Sequence, residues 1–440
     1  MNSLSAGDIS RKPLFFTSWK FLNPYIENIL YLYTILKGLF LNRKFLLLTL
    51  IFFIFTNHVI PVKALPPVVN SEWTYTPPTI NGIYDTDEWD HAYVETISLD
   101  GYIPATLYVM NDQNNLYLAL EVQDDDTYNT DEIIFYFDNN NFGTTHEIGD
   151  DRLYLFEEIN FFDMYKSSTG WSTDPVKNGM GRAAMTTGGK WFFELSHPLN
   201  SSDDAHDFSL TFGSTVGFLV QWNDWEGMTG WSHYWPVYIV SSTEDWADLV
   251  IASPPKQVNF ETVTDTGTAT LEVDTGGLCE YAPMPQGDLP LEAQASMPNV
   301  EFPHGLLNFT ICNLPNPGDE VTIVITLPDP VTEDMELWKW GPTPGNPTNH
   351  WYEIPIVVDT EANTITFSII DGGKGDDDLI ANRVIVDQNG PGQPLPEPEQ
   401  PTPVGGDVFS IEKLAILTPY FLATIVLLAA TSILIKKRNH

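Results

Sequence analysis

The sequence predicts an all-β chain built from two β-sandwich domains, and three observations lead to this prediction. The chain has 440 residues, which is more than one ordinary domain holds and favours two or three. Its 13 Trp, 18 Tyr and 25 Phe can form large cores, which excludes wholesale disorder despite a net charge of −39. Apolar residues alternate with a period of two, as in strands, and helical periodicity is scarce.

The composition also excludes several classes of protein. With 20 basic against 59 acidic residues, the chain lacks the clustered Lys and Arg that a nucleic-acid groove needs. Two cysteines cannot form a disulfide-rich scaffold or a four-thiolate zinc site. The acidic charge belongs to the middle of the chain, because residues 1–64 and 413–440 are both net basic.

The N-terminal residues 1–64 predict a secretory signal. A basic pair precedes the apolar run 45–55, and residues 62–64 provide a cleavage site. A second apolar stretch, 29–41, comes before this signal. Two interpretations stay open: translation starts downstream of the first residue, or the first segment is an additional membrane or interfacial helix.

Two compositional breaks divide the rest of the chain. Residues 253–256 read SPPK and predict the boundary between a first domain, 65–256, and a second domain, 257–389. The proline-rich residues 390–412 predict an extended stalk.

The C-terminal residues 413–440 predict a transmembrane anchor with a basic tail. Residues 414–435 carry no charge and suffice to cross a hydrocarbon core of about 30 Å. The following Lys436, Lys437 and Arg438 are expected on the cytoplasmic side. The sequence therefore predicts a single-pass cell-membrane protein whose main body is extracellular.

The predicted strands are the alternating runs that Asn, Asp, Gly and Pro clusters separate. In the first domain they are residues 116–122, 133–137, 191–195 and 216–222. In the second domain they are residues 306–312, 321–327 and 364–370.

Short motifs occur in order along the first domain. They are INGIYD at 80–85 followed by EW at 88–89, ATLYVMNDQNNLYLALEVQD at 105–124, DEIIFYFD at 131–138, GDDRLY at 149–154 and WFFEL at 191–195. In this order they resemble the family 9 carbohydrate-binding module superfamily over residues 79–252. The resemblance implies a β-sandwich whose relatives commonly bind sugars, while some bind haem instead.

Sugar binding needs aromatic faces for the apolar side of a pyranose, and carboxylates and amides for its hydroxyls. A dense aromatic cluster from 222 to 235 is interrupted by glycines, which favours an exposed loop. The predicted ligand-binding residues are Trp222, Asn223, Asp224, Trp225, Trp231 and Trp235. Trp225 and Trp231 are predicted as platforms; the alternative is that several tryptophans are core residues, as we predict for Trp89, Trp191 and Trp246. Haem, the rival ligand, would need an axial pair from Met110, His146 and His233.

The second domain carries a different set of motifs. They are FPHGLLNF at 302–309, WKWGPTP at 338–344, HWY at 350–352 and DGGKGDDDL at 371–379. Together they resemble a choice-of-anchor U domain over residues 265–392. The resemblance implies an extracytoplasmic β-domain beside an anchor, with no established activity.

Calcium is the predicted cofactor of the second domain. Its predicted ligands are Asp371, Asp376, Asp377 and Asp378, because glycine-rich turns let carboxylates and carbonyls converge on one cation. The acidic tracts 124–126 and 138–141 offer similar oxygens, and solvated loops are the alternative throughout. Cys279 and Cys312 are predicted to form a disulfide, which outside the cell is the usual fate of two lone cysteines; two buried thiols are the alternative.

No catalytic motif supports an enzyme. The chain contains no G-x-S-x-G elbow, no H-E-x-x-H and no Walker loop. The predicted function is non-catalytic binding of carbohydrate or a cell-surface glycan. The competing prediction is a structural or adhesive envelope protein without sugar binding.

Overall fold

The chain divides into two compact units, Met1–Leu65 and Pro66–His440, and every described residue belongs to the second. The structure, a computed structural model, describes residues 66–124, 131–141, 146–156, 158–186, 188–226, 229–236, 246–328, 330–396 and 420–432. The predicted signal segment 1–64 lies outside the described residues.

A first sandwich occupies the chain up to residue 250. Its strands are β1 (Val68–Asn70), β2 (Glu72–Trp73), β3 (Tyr93–Leu99), β4 (Ile103–Asn111), β5 (Asn115–Gln123), β6 (Glu132–Asp138), β7 (Asp151–Phe156), β8 (Asn160–Ser167), β9 (Gly170–Thr173), β10 (Met180–Met185), β11 (Lys190–Pro198), β12 (Thr215–Glu226), β13 (Thr229–Trp235) and β14 (Ala247–Val250). Sheet A has the order β1-β14-β12-β6-β7-β8-β9, with β13 paired to β12. Sheet B has the order β10-β11-β5-β4-β2, with β3 paired to β4. A short helix, α1 (Thr86–Trp89), precedes β3.

Alternation along the strands builds the core between sheets A and B. On β6 the side chains of Ile133, Phe135 and Phe137 are fully buried in this core. The facing sheet B supplies Trp191 to the same cluster, and the neighbouring strand β12 of sheet A supplies Phe218. Burying each such side chain contributes about 1.5–3 kcal/mol.

The motif at residues 80–89 closes the outer face of sheet B over a buried carboxylate. Glu194 is fully buried and accepts hydrogen bonds from the backbone N–H groups of Asn81 and Gly82 at 3.0 and 2.6 Å. Its other oxygen accepts from Trp89 Nε1 at 2.9 Å. Trp89, Trp191 and Trp246 are all buried, as predicted.

A second sandwich begins at residue 257. Its strands are β15 (Gln257–Glu261), β16 (Thr268–Val273), β17 (Gly277–Met284), β18 (Val300–Glu301), β19 (Leu306–Cys312), β20 (Glu320–Thr326), β21 (Glu336–Thr343), β22 (Asn346–Ile354), β23 (Val357–Asp359), β24 (Thr364–Ile370) and β25 (Ile385–Pro394). Sheet C has the order β15-β16-β20-β24-β23, and sheet D has the order β17-β19-β25-β21-β22, with β18 paired to β25. A helix, α2 (Leu291–Ala295), lies between β17 and β18. A separate apolar cluster fills the space between sheets C and D.

The all-β prediction is confirmed, and each predicted strand coincides with an observed one. In the first domain these are β5, β6, β11 and β12, and in the second β19, β20 and β24. Cys279 and Cys312 are joined in a disulfide between the neighbouring strands β17 and β19, with Cα atoms 5.9 Å apart. Cys279 occupies a β-bulge, since the pairing of β17 with β19 shifts between Leu278 and Glu280.

The predicted start of the stalk at residue 390 is wrong, because β25 continues to Pro394. Gly390 pairs with Trp338 of β21, and a Cβ atom on Gly390 would lie 2.9 Å from the Phe302 ring. The glycines therefore allow close packing inside a sheet, where the sequence suggested a linker. Residues 397–412 of the predicted stalk lie outside the described residues.

The predicted anchor is only partly described. Residues 420–432 are helical, while 413–419 and 433–440 lie outside the described residues. Within the described part of the chain, no helix has the length and apolar character needed to cross a membrane.

Candidate functional site

The aromatic cluster from 222 to 235 forms a hairpin, where a loop was predicted. Strand β12 extends to Glu226 and pairs with β13 in continuous register from Glu226–Thr229 to Val220–Trp235. Gly230 makes this possible, because a Cβ atom there would lie 2.6 Å from the ring of Trp225. The glycine therefore leaves room for an aromatic ring on the sheet and does not interrupt the strand.

Strand alternation sends the predicted ligand-binding residues to two opposite faces of sheet A. The inward-facing residues are Trp222, Asp224, Trp231 and Trp235, since Val220 and Trp222 belong to the core. Asn223 and Trp225 face outward. Trp222 is only 2% exposed and belongs to the core cluster.

Three of the inward-facing residues, Trp222, Asp224 and Trp231, border a pocket at the end of the sandwich, which we call the end pocket. Its volume is about 400 Å³, and it is lined by Tyr102, Ile103, Gln123, Trp222, Asp224, Trp231 and His233. Trp231 is 65% exposed there, and His233 is held by Asp100 through Nδ1 and Oδ2 at 2.9 Å. Of the two predicted platforms, Trp231 is the exposed one at this pocket.

The outward-facing set belongs to a larger polar and aromatic face of sheet A, which we call the outer face and on which Glu132, Tyr136, Gln221 and Asn223 are buried. Its members come from β13, β12, β6, β7 and β9, which the strand registers bring to one face, with β8 between β7 and β9. They are Glu132, Tyr136, Arg152, Tyr154, Trp171, Gln221, Asn223, Trp225 and Tyr234. Sequence reasoning missed most of these residues, because 102 positions separate Glu132 from Tyr234.

A chain of hydrogen bonds runs along this face. The hydroxyl of Tyr136 donates to Gln221 Oε1 at 2.7 Å, and Gln221 Nε2 donates to Asn223 Oδ1 at 2.7 Å. Asn223 Nδ2 then donates to Glu132 Oε2 at 2.6 Å. This chain fixes amide and carboxylate groups in one row, so their remaining donors and acceptors have defined directions.

Arg152 lies among three aromatic rings on the same face. Its guanidinium carbon is 4.6 Å from the ring centre of Trp171 and 5.8 Å from those of Tyr136 and Tyr154. Its Nε atom is buried and makes no hydrogen bond with any described residue. A buried donor without an acceptor is costly to a folded protein.

His146 covers part of the outer face. Its ring centre lies 4.8 Å from that of Tyr136 and 5.3 Å from those of Trp171 and Trp246. Burial, together with the charges of Lys166 and Arg152, lowers the pKa of His146 to about 4. The imidazole is therefore neutral at physiological pH and extends the aromatic surface.

The residues named for haem do not form an axial pair. Met110 is buried under the motif 80–89 on sheet B, while His146 lies on the outer face of sheet A. His233 lies at the end pocket. These three positions are on different surfaces of the sandwich.

The predicted calcium ligands of the second domain have other partners. Both oxygens of Asp371 accept from backbone N–H groups of the 382–383 turn, at 3.1 and 2.8 Å, and Asp376 accepts from Gly372 and Val386. Asp377 pairs with the fully buried Lys339 at 3.2 Å, and burial, opposed by Lys339, raises its pKa to about 6.

Asp378, the fourth predicted ligand, accepts from the backbone of Ile380 and the side chain of Asn382. Within the described ranges these four carboxylates are not among the groups whose ligand atoms converge as a metal site requires. Asp371, Asp376 and Asp378 therefore organise backbone turns, Asp377 pairs with Lys339, and calcium binding there stays a prediction. In the first domain, Asp124 of the tract 124–126 does converge with Asp131 and Asp224, while Asp125 and Asp126 lie outside the described residues.

No family model and no curated protein matches the chain. Two solved structures similar to it are of a family 9 carbohydrate-binding module from Caldicellulosiruptor kristjanssonii, in complex with cellotriose and with glucose. Each is 15% identical with a TM-score of 0.28, and covers 42% of this chain and 93% or 96% of its own. A Bacteroides uniformis protein described as carbohydrate-binding is 7% identical with a TM-score of 0.31, and covers 42% of this chain and 99% of its own. At these identities and TM-scores, the likeness assigns neither a family nor a ligand to this chain.

Proposed function

We propose that the first sandwich binds carbohydrate without catalysis, on the outer face of sheet A. The single observation that carries the proposal is Arg152: its Nε is buried and makes no hydrogen bond with a described residue, and its guanidinium carbon lies 4.6–5.8 Å from three aromatic ring centres. Aromatic faces suit the C–H side of a pyranose, and the charged donor suits its hydroxyl and ring oxygens.

The neighbouring groups complete a surface of the right chemistry. Gln221, Asn223 and Glu132 supply amides and a carboxylate in a fixed row. Neighbouring strands lie about 4.8 Å apart, so the path β9-β8-β7-β6-β12 spans about 19 Å. That length suits an oligosaccharide better than a single ring.

The end pocket is the competing location on the same sandwich. It offers the exposed Trp231 and a carboxylate, Asp224. We favour the outer face because it combines several rings with a guanidinium and a row of amides, whereas the end pocket has two strongly exposed rings, Tyr102 and Trp231, and no guanidinium among its described lining residues.

We further propose that the sandwich is presented outside the cell on a single membrane anchor. The support is the uncharged stretch 414–435 with its basic end and the apolar segment 45–55 after a basic pair. The disulfide Cys279–Cys312 suits an oxidising compartment, and the choice-of-anchor resemblance of the second domain agrees with a position beside an anchor.

A glycan array probed with the full-length chain in detergent tests the binding proposal. The wild type is expected to bind a defined set of oligosaccharides. Trp171→Ala should weaken binding of the best ligand by about 10- to 100-fold, as expected for losing roughly 1.5–3 kcal/mol of ring contact. Arg152→Gln should weaken it similarly.

Trp231→Ala is the matched control, because it removes an exposed tryptophan from the end pocket and leaves the outer face intact. It should bind as the wild type does. If Trp231→Ala abolishes binding and Trp171→Ala does not, the site is the end pocket. An array without any bound glycan, with calcium present, would reject sugar binding and favour the structural or adhesive alternative.

A further inference from the structure

We propose that the first sandwich holds a zinc-type divalent metal ion between its two sheets, bound by Asp163, His197 and Asp207. The ligand atoms of these three residues all lie within 4.8 Å of one another. The site is separate from the outer face and from the end pocket.

The three side chains come from different parts of the sandwich and are all buried. His197 lies on β11 of sheet B two residues after the core residue Leu195, so its side chain points to the same inner side of the sheet. Asp163 points inward from β8 of sheet A, in step with Phe161. Asp207 lies in the connection between β11 and β12. The exposed fractions of the three residues are 1%, 2% and 5% in that order.

The orientation of His197 is that of a metal ligand. Its Nδ1 lies 2.7 Å from the carbonyl oxygen of Pro198. A carbonyl can only accept, so Nδ1 carries the proton and the Nε2 lone pair is directed to the other side of the ring. Nε2 is buried and makes no hydrogen bond with a described residue.

The distances around Nε2 agree with ligands that share one ion. Nε2 lies 3.4 Å from Asp163 Oδ2 and 3.7 Å from Asp207 Oδ1. Both distances exceed those of ordinary hydrogen bonds, which end near 3.2 Å. Zinc binds nitrogen and oxygen at about 2.0–2.2 Å, so two ligands at tetrahedral positions lie about 3.4 Å apart.

Asn178 holds both carboxylates in place from outside the cluster. Its backbone N–H donates to Asp163 Oδ2 at 3.0 Å, and its side-chain Nδ2 donates to Asp207 Oδ2 at 2.6 Å. Asp207 Oδ1 is left buried and without a hydrogen bond among the described residues. Such outer hydrogen bonds to ligating carboxylates are a regular feature of metal sites.

The local charge also favours a cation. Asp151 and Asp174 are buried, interact electrostatically with Asp163 and Asp207, and each has one buried oxygen without a hydrogen bond from a described residue. Four buried carboxylates around one imidazole are stabilised in their charged form by additional positive charge. A divalent ion supplies that charge and leaves His197 neutral as a ligand.

The donor set selects the class of metal. Calcium and magnesium take oxygen ligands, whereas imidazole suits zinc and its first-row neighbours. One imidazole nitrogen with two carboxylates matches the ligands of zinc. The ion would tie β8 of sheet A to β11 of sheet B and fix the β11–β12 connection.

Zinc content of the full-length chain tests this proposal. The protein is stripped with a chelator, titrated with zinc in excess calcium and magnesium to block its acidic surface, and assayed by elemental analysis after gel filtration. We expect one tightly held zinc ion per chain and a higher melting temperature with zinc than with the chelator. Asn178→Ala should weaken zinc binding by about 10- to 100-fold.

Variants locate the ion. Asp163→Asn and Asp207→Asn keep the side-chain shape, and each should lose the stoichiometric zinc, as should His197→Ala. His206→Ala is the control, since His206 forms a neighbouring, more exposed group with Asp174 and Asp203; it should retain zinc.

Three results would overturn the proposal. The first is a wild type that retains no zinc and melts identically with and without it, which would make His197 a buried imidazolium between two carboxylates. The second is zinc that survives Asp207→Asn but is lost in His206→Ala. The third is displacement of zinc by millimolar calcium, which would mean that the site prefers oxygen-liganded ions. If His197→Ala does not fold, the wild-type titration and the two Asn variants decide.

Discussion

At the scale of the residue, His146 makes the outer face sensitive to acid. Its pKa is lowered to about 4 by burial and by the charges of Lys166 and Arg152, against about 6.5 in an unfolded chain. Between these two pH values the unfolded state takes up a proton that the folded state does not, so stability falls as the pH falls. Above pH 6.5 the group contributes no pH dependence, and below about 4 the loss is complete.

We therefore predict that His146→Gln flattens the pH dependence of unfolding between pH 6.5 and 4. The measurement is the free energy of unfolding of wild type and variant by denaturant titration at several pH values. The difference between the two curves isolates this histidine from the acidic residues, which titrate in both proteins. Parallel curves across the window would show that His146 is not buried in its neutral form.

At the scale of the element, the strands were predictable from alternation, but the roles of glycine were not. Glycines at 230 and 390 occur in sequence contexts typical of loops and linkers. In the structure they lie in β13 and β25, where the ring of Trp225 and the ring of Phe302 occupy the space of a missing Cβ. A neighbour from elsewhere in the chain decides such cases, and the local sequence does not contain that neighbour.

The same limit applied to the candidate site. Alternation predicted β6 and β12 correctly, and it also implied that Tyr136 and Gln221 face away from the core. Alternation could not predict the register that joins β6 to β12, nor the register that places Arg152 of β7 beside Tyr136. The available signal for the outer face was that several predicted strands have polar or aromatic residues at their outward positions. The density of tryptophan between 222 and 235 did not show which of those residues lie on that face.

We predict that Gly390→Ala destabilises the second sandwich by about 1–3 kcal/mol, the usual cost of overpacking. The added methyl group would lie 2.9 Å from Phe302 and 3.0 Å from Leu306. Gly345→Ala is the matched control in the same domain, because a Cβ atom there meets nothing within 4 Å. Denaturant unfolding measures both, and equal stabilities would show that residue 390 belongs to a linker after all.

At the scale of the whole molecule, the two sandwiches have separate cores and touch through aromatic contacts. Tyr75, which follows β2, donates from its hydroxyl to the carbonyl of Leu278 at 2.8 Å. Its ring lies edge-on to Tyr281 with centres 4.8 Å apart. Leu278 and Tyr281 flank Cys279, so the disulfide stiffens the strand that the first sandwich contacts.

Reduction of Cys279–Cys312 should therefore act on the second sandwich first. The bridge closes a separation of 33 residues, which corresponds to about 3–4 kcal/mol of stabilisation in the chain-entropy description. We expect a reductant to lower the melting transition of the second sandwich more than that of the first, as measured by calorimetry. A Cys279→Ala/Cys312→Ala variant is the control and should not respond to the reductant. Equal shifts of both transitions would contradict the separation of the two cores.

The position of β25 has a consequence for how the protein is made. This strand is the last of the second sandwich in the chain, yet it lies in the middle of sheet D between β19 and β21. Until it leaves the ribosome, sheet D exists only as two unconnected halves, β17-β19 and β21-β22, with open edges that can pair with other chains. The second sandwich must therefore complete its folding late in synthesis, when the residues that follow β25 are already being added.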